Sequence, residues 1–422
     1  MNSSLLLFVS LLVGMVMGLP VAIAICVSVI IYMFASGLDF FALAQMMVSS
    51  ADSMTILAVP GFIIAGELMD SGGLSKRIVA FAEVFISKIK GGLAIVNILA
   101  SMMFGAISGS GAATTLAIGG IMMPEMNKRG YPKAFSAATA ASGGILGGII
   151  PPSIGIVLYG AATGVSITAM FKAGFSTGIF MGFLVILYIL YCGKKYDLPA
   201  SDRKYSAREV FEITKSALPA LGAPVIILGG IFSGLFTPTE ASVISIVYAL
   251  IVGLFAYREL TAEKIRRVLA KSAESTANIM LIMVFAGLFG FIVSMERVPN
   301  MILQALVEFT TNKYMILLLV NVMYLIMGMF MSGLSVIIIT APILAPLAAM
   351  MGIDPVHFGI MLVANTNIGQ ITPPFGGCLF AGIMISGEPV EKIVKYIWGF
   401  ILVYILSVFI IMLVPAITHV FL

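Results

Sequence analysis

Two tandem prolines interrupt glycine-rich apolar sequence in this chain, in Gly147-Gly148-Ile149-Ile150-Pro151-Pro152-Ser153 and in Gly369-Gln370-Ile371-Thr372-Pro373-Pro374-Phe375. They stand at one offset, since 369 − 147 = 222 and 373 − 151 = 222, and Pro124 and Gly130 recur at the same distance as Pro346 and Gly352. Proline removes a backbone donor and its ring collides with the preceding turn, so a helix does not run straight through such a pair. In a bilayer the freed carbonyls and amides meet no water, and a break is tolerated only where it lines a protein cavity. Matching breaks in two halves are the sequence pattern of a secondary transporter's binding site.

Composition supplies the bilayer. The chain is 60% hydrophobic and 10% charged, with a mean hydropathy of +1.13, which excludes a soluble domain of ordinary make-up. Leu5 to Phe34, Met54 to Met69, Met170 to Cys192, Ala241 to Phe255 and Ile397 to Val414 are each apolar enough to cross a core of roughly 30 Å. The first lacks a basic leader and stays apolar to Phe34, so it reads as a retained span rather than a cleaved signal peptide. Cys26, Cys192 and Cys378 are isolated in or beside apolar segments and read as small hydrophobes. His357 and His419 are the only histidines, too few for haem or zinc chemistry. No Ser/His/Asp arrangement, metal-ligand cluster or intramembrane acid pair stands out, so an enzyme is not expected, and neither is a nucleic-acid partner.

The net charge of +4 matters through its placement. Basic residues fall in bands: Lys76, Arg77, Lys88 and Lys90; Lys128, Arg129 and Lys133; Lys194 through Arg208; Arg258 through Lys271; and Lys392 with Lys395. The positive-inside rule puts all of them in the cytoplasm. Crossings counted between the bands start with a cytoplasmic N-terminus and an exit near Asp39, and end with a periplasmic C-terminus. Gly91 to Met123 lies between two cytoplasmic bands, and two arms of about 16 residues reach only ~24 Å each. That favours a re-entrant hairpin, with Ser108-Gly109-Ser110-Gly111 at its tip, over two thin spans. A second hairpin, Tyr314 to Met350, carries Met331-Ser332-Gly333-Leu334-Ser335, and the broken helices cover 132–163 and 356–386.

The expected fold is thus an all-α polytopic membrane protein with inverted repeats, two re-entrant hairpins and two broken helices. Its division is 1–52, a first scaffold span and interfacial segment; 53–192, a first transport repeat with hairpin 91–123; and 193–217, a cytoplasmic linker. Scaffold helices follow at 218–271, a second transport repeat with hairpin 314–350 at 272–390, and a C-terminal span at 391–422. Thr237-Pro238-Thr239-Glu240 matches a capping box, which makes Glu240 a cap before it is a proton carrier. Glu67, Asp70 and Glu125 read as interfacial, and Trp398 as an interface anchor.

A sodium ion needs several hard oxygens, and carbonyls at a half-helix end provide them without a permanent charge. One expected site uses Ser108, Ser110, Gly147, Ile150 and Pro152; the other uses Ser332, Gly333, Gly369, Thr372 and Pro374. The alternative for any one glycine or serine is close helix packing. With no lysine or arginine placed near mid-membrane, an anionic substrate would meet helix N-terminal amides, hydroxyls and bound cations. Ser153, Asn365, Asn367 and Gln370 are the expected substrate contacts. The cluster of Asn365, Thr366, Asn367, Gln370 and Thr372 replaces Gly143, Gly144, Ile145, Gly148 and Ile150 of the first half. It serves either substrate contact or a structural hydrogen-bond network.

Gly105-Ala106-Ile107-Ser108-Gly109-Ser110, Ile149-Ile150-Pro151-Pro152-Ser153, Phe236-Thr237-Pro238-Thr239-Glu240-Ala241 and Ile371-Thr372-Pro373-Pro374 together resemble the large membrane subunit of TRAP (tripartite ATP-independent periplasmic) transporters. The likeness runs over essentially the whole chain and looks most like the sialic-acid branch, with C4-dicarboxylates and other sugar acids open. It implies an ion-transporter-superfamily fold, an elevator-type motion and sodium-driven uptake of an organic acid across the bacterial inner membrane. It also implies two partners, a small membrane subunit expected as a separate chain and a periplasmic substrate-binding protein. A stand-alone carboxylate carrier is the alternative.

Overall fold

The computed structural model describes residues 3–38, 40–52, 54–86, 89–200, 205–310, 312–374 and 376–422. Asp39, Lys88, Asp202, Arg203, Lys204 and Phe375, used above, lie outside them. The chain is all-helical over the described residues. Its first half runs α1 (Ser3–Val16), α2 (Val21–Ser36), α3 (Phe40–Ala51), α4 (Ala58–Ser71), α5 (Leu74–Ile86), α6 (Gly92–Ser108), α7 (Gly111–Lys128), α8 (Lys133–Gly147), α9 (Ile154–Thr163) and α10 (Ile167–Lys195). The second runs α11 (Ala207–Phe232), α12 (Pro238–Ile251) with a π turn at 252–256, α13 (Ala262–Met295), α14 (Val298–Phe309), α15 (Lys313–Phe330), α16 (Gly333–Met350), α17 (Pro355–Gly369), α18 (Gly377–Ser386), α19 (Val390–Leu413) and α20 (Ala416–His419). Seven of the described helices are long and apolar enough to cross a membrane.

The proline offset proves to be an offset of whole elements. At the starts of two helix pairs, 333 − 111 = 222 and 355 − 133 = 222, and all boundaries of α6 to α9 recur in α15 to α18 to within one residue. The halves interlock through the pieces beyond each break: α9 packs on α16, and α18 packs on α7 and α8. They also differ, because α6 and α7 pack along each other whereas α15 and α16 splay apart and meet mainly through α17.

The basic bands converge on one end of the molecule. Lys90 pairs with Asp197 at 2.5 Å, a contact that holds the Asp197 carboxyl below its ordinary range. Pro199 O accepts from Tyr131 Oη (2.9 Å) and from Gly91 N (3.4 Å). Arg129 reaches Glu83 of α5 at 2.8 Å, and at the start of α5 Lys76 and Arg77 both meet Glu259. Lys133, Lys392 and Lys395 line one hollow at the same end. α7 has its foot here. The foot of α16 lies at the other end, where Tyr159 Oη donates to Pro355 O at 3.3 Å and Asp354 faces His419 at 3.5 Å.

Four elements depart from the sequence expectation. Leu5 to Phe34 is not one span: Gly18 turns left-handed (φ +81°) ahead of Pro20, and α2 folds back along α1. A left-handed glycine followed by proline ends a helix whatever the hydropathy around it. The linker 193–217 shrinks to 196–206, because Ser206 and Glu209 form a capping box that starts α11 early, supported by the Arg208–Glu212 pair one turn on. Thr261 likewise caps α13, which places the basic residues 264–271 in its first turns, inside the stretch expected to hold scaffold helices. Finally, α5 and α14 are short helices that the crossing count leaves out. Leu74, Ile78, Val79 and Ala82 give α5 one buried stripe, a helical period that polar flanks obscure. Thr237 and Glu240 do form the expected capping box, in which the Glu240 carboxylate accepts from Thr237 N at 2.8 Å.

Candidate binding site at the two helix breaks

In the first half the hairpin tip is docked into the break. α6 ends at Ser108, and Gly109 turns the chain with φ +61° while its carbonyl accepts from Ile154 N at 3.2 Å. A side chain at Gly109 would collide with the Pro152 carbonyl, so glycine is required by both conformation and space. Behind it Gly105 and Gly147 bring α6 and α8 into backbone contact. Ser108 Oγ shares a 2.8 Å hydrogen bond with Thr114 Oγ1, and both residues are buried. Thr114 in turn lies over Gly147, where a Cβ would strike its hydroxyl. Thr114 thus joins Ser108 to Gly147, and Gly109 brings Pro152 against the same tip. Ser110 caps α7 by accepting from Ala113 N at 3.5 Å. Ile150 directs its side chain onto Gly178, and its amide donates to Leu146 O at 2.8 Å.

The second half assembles less completely. Ser332 caps α16, accepting from Ser335 N at 3.2 Å, and its hydroxyl lies 2.7 Å from Ser335 Oγ. Gly333 sits against Gln370 and the Thr366 carbonyl, and Gly369 packs on Gly328. Thr372 is buried with its hydroxyl donated to Ile368 O at 2.9 Å. Pro374 is exposed and lines neither cavity described below. The physical reason is the splay of α15 from α16, together with a different closure of the break: Gln370 O accepts from Cys378 N and Leu379 N, which ties the start of α18 to the end of α17 rather than to the hairpin tip.

Between the tips lies a cavity of about 400 Å³, within the range of small-molecule sites, bounded by Gly109 to Ala112, Met331 to Leu334, Gly148, Asn367, Gln370 and Gly377. Four helices begin on it: α7 at Gly111, α9 at Ile154, α16 at Gly333 and α18 at Gly377. Each contributes the positive end of its peptide dipole, but α7 and α16 supply the first-turn amides without a partner, because at α9 and α18 Ile154 N, Cys378 N and Leu379 N are already bonded to Gly109 O and Gln370 O. The serine caps occupy Ala113 N and Ser335 N, while Gly111, Ala112, Gly333 and Leu334 are left lining the cavity. None of the described residues lining it carries a formal charge. Such a hollow suits an anion.

Asn367 ties the two breaks together. Its Nδ2 donates to Val363 O (2.8 Å) and, across the interface, to Gly148 O (3.3 Å), while its Oδ1 accepts from Gln370 Nε2 (2.9 Å). The other two expected substrate contacts lie elsewhere. Ser153 is fully buried as the cap of α9, donating to Gly148 O at 2.6 Å and accepting from Ile156 N. Asn365 points the other way round α17 and donates to Asn321 O (2.7 Å) and Oδ1 (2.9 Å) on α15. Successive helical positions rotate by about 100°, so neighbours in one polar cluster serve different faces. Thr114 and Thr115 escaped the sequence reading. They lie one turn beyond Ser110 and Gly111, and that helical spacing was the available signal; Thr115 donates to Gly111 O at 3.0 Å and fills the space over Gly144.

A solved structure with the same architecture is the YdaH transporter of Alcanivorax borkumensis, described as having an unusual topology, with a TM-score of 0.66 over 89% of this chain and 88% of that one, at 15% identity. The isethionate TRAP transporter permease protein DctMQ of Oleidesulfovibrio alaskensis is 39% identical over 96% of this chain, which spans 64% of that longer relative. The C4-dicarboxylate TRAP transporter large permease protein DctM of Pseudomonas aeruginosa is 39% identical, covering 89% of this chain and 88% of its own length. The sialic acid TRAP transporter large permease protein SiaM of Vibrio cholerae is 36% identical over 90% and 88%. Likeness to the sialic-acid relative is thus no greater than to the other two. The profile of the tripartite ATP-independent periplasmic transporter, DctM component, matches residues 7–417. A multi-pass, all-helical chain matched along nearly its whole length in this way belongs to the DctM family of TRAP transporter large permeases.

Proposed function

We propose that this chain is the translocating subunit of a sodium-coupled importer of a small organic acid. The observation that carries the reading is the convergence of four helix N-termini on one cavity whose described lining residues carry no formal charge. An acid held by amides and hydroxyls is released more readily than one held by a buried lysine, which suits a carrier. Gly111, Ala112, Gly333 and Leu334 would meet its anionic group, with Asn367 and Gln370 orienting the rest.

The first tip offers an oxygen-only donor set in Ser108, Thr114, Ser110 and the carbonyls around Gly147 and Pro152, which fits a hard monovalent cation. The second set, around Ser332, Gly333, Gly369 and Thr372, would hold a second ion. Sodium bound there adds positive charge beside the acid, and that proximity is what couples the two. The opposed feet of α7 and α16 support an inverted repeat, and α9 with α16, packed against α13, would move as one body in an elevator cycle. On this reading the basic end faces the cytoplasm and the C-terminus is periplasmic; the N-terminus, brought back beside the end of α2 by the fold at Gly18, would be periplasmic too rather than cytoplasmic as a single first span implied.

A periplasmic binding protein would deliver the acid, and a small membrane subunit, as a separate chain, would cover part of the scaffold. The test is uptake by proteoliposomes holding this chain and both partners, with succinate, isethionate and N-acetylneuraminate as probes. Uptake that persists undiminished when choline replaces sodium removes the coupling.

A further inference from the structure

A second cleft, of about 230 Å³, opens beside the central cavity between α4, α7 and α13. Ser110, Ile154 and Leu334 line both, so the two spaces are neighbours that share these residues. Among the described residues, Lys271 is the one lysine or arginine on the lining of either. Its ammonium sits 2.7 Å from Glu67 Oε1 and 3.0 Å from Oε2, with 59% of the lysine side chain exposed and 23% of the glutamate's. One helical turn on, Asp70 lines the same cleft and accepts from Ser75 Oγ at 2.8 Å.

We propose that this cleft is a second, weaker anion site, in which a carboxylate of the transported acid displaces Glu67 from Lys271 on its way between the central cavity and the basic end of the molecule. The inference rests on the transport reading above and adds a residue and a place to it. Lys271 is reachable from solvent and already presents its charge to a carboxylate bidentately, so exchange of one carboxylate for another needs no new pocket. The site is weak by its own charges. Glu67 and Asp70 outnumber the ammonium on the cleft's lining, and an acid on Lys271 leaves Glu67 uncompensated and Asp70 with only Lys76 and the Ser75 hydroxyl to offset it. Short residence is what an exit route requires. A tie between α4 and α13, with no role toward the substrate, is the competing explanation, and it makes a different prediction.

Removing the competing carboxylate must strengthen the site, and removing the ammonium must weaken it. The experiment measures uptake into proteoliposomes preloaded with the same acid, using whichever of succinate, isethionate and N-acetylneuraminate the wild type takes up. Binding protein supplied outside selects the molecules oriented for uptake. Glu67→Gln should lower the internal concentration that halves uptake by about fivefold, the reach of a solvent-exposed ion pair, and Lys271→Gln should raise it by about as much. Lys271→Arg should restore the wild-type value. If Lys271→Gln reduces the yield of folded protein, Lys271→Met keeps the stem's packing and serves in its place. Shifts in the same direction for both variants, or in neither, overturn the anion site and leave the ion pair as a structural tie. Wild-type protein that takes up no acid at all overturns the transport reading itself, and this site with it.

Discussion

Gly109→Ala is the sharpest perturbation of the docked tip, and its size follows from the structure. A left-handed conformation (φ +61°) costs an L residue roughly 1 to 2 kcal/mol. The new methyl also collides with the Pro152 carbonyl, a backbone atom that no rotamer change can move aside. Relief requires the tip to withdraw, which breaks the Ile154 N to Gly109 O bond and leaves a buried amide unpaired, at about 1 to 2 kcal/mol. The total, about 2 to 4 kcal/mol, is a roughly 30- to 1000-fold fall in the ratio of docked to withdrawn tip. Because a docked tip holds Ser108 on Thr114, which lies over Gly147, the sodium concentration for half-maximal uptake should rise by at least tenfold. Gly352→Ala is the control: its φ is +70° but nothing lies within 4 Å of an added Cβ, so it carries the conformational strain alone. Sodium titrations of uptake for both variants, with melting curves to confirm folding, make the comparison. A Gly109→Ala protein whose sodium dependence matches that of Gly352→Ala would refute the docking argument.

Thr114→Val removes the hydroxyl beside Ser108 and Gly147 while keeping shape, and should raise the half-saturating sodium concentration several-fold with little change in the KM for the acid; an unchanged sodium titration removes Thr114 from the site. Asn367→Ala and Asn365→Ala should separate function from structure. The first should raise KM by about tenfold, and the second, which loses the clamp on Asn321, should lower stability by roughly 2 kcal/mol with KM unchanged. Equal KM effects would contradict the placement of the two side chains. Glu240→Gln should cost about 1 kcal/mol or less through its cap and leave ion coupling intact, so a lost sodium dependence in that variant would restore Glu240 as a coupling residue.

The breaks, the tips and their spacing were legible because each leaves a local mark. Pro151-Pro152 and Pro373-Pro374 stop a helix wherever they stand, and Ser-Gly tips between apolar arms have few other uses. Thr237 and Glu240 were legible for the same reason, since a capping box is a contact between residues three apart. What escaped was decided by direction or by distant partners. Asn365 and Asn367 differ by about 200° around α17, and nothing local says which side faces the cavity. Ser153 looked available because its consuming partner, the Gly148 carbonyl, is freed only by the break itself. The fold-back at Gly18 and Pro20 was misread because hydropathy is blind to a reversal between two equally apolar helices.

The sequence by itself determined a membrane protein of two related halves, each with a broken helix and an opposing hairpin, because composition, proline and a repeated offset act through local chemistry and the bilayer's intolerance of unpaired backbone. Tertiary structure alone decided that α9 and α18 cross into the opposite halves, that four helix starts share one cavity, and that the first tip is docked while the second stands open. The first two are relations between segments of different halves and the third joins segments 45 residues apart, Gly109 to Ile154 (154 − 109 = 45); all depend on which faces pack rather than on which residues are present.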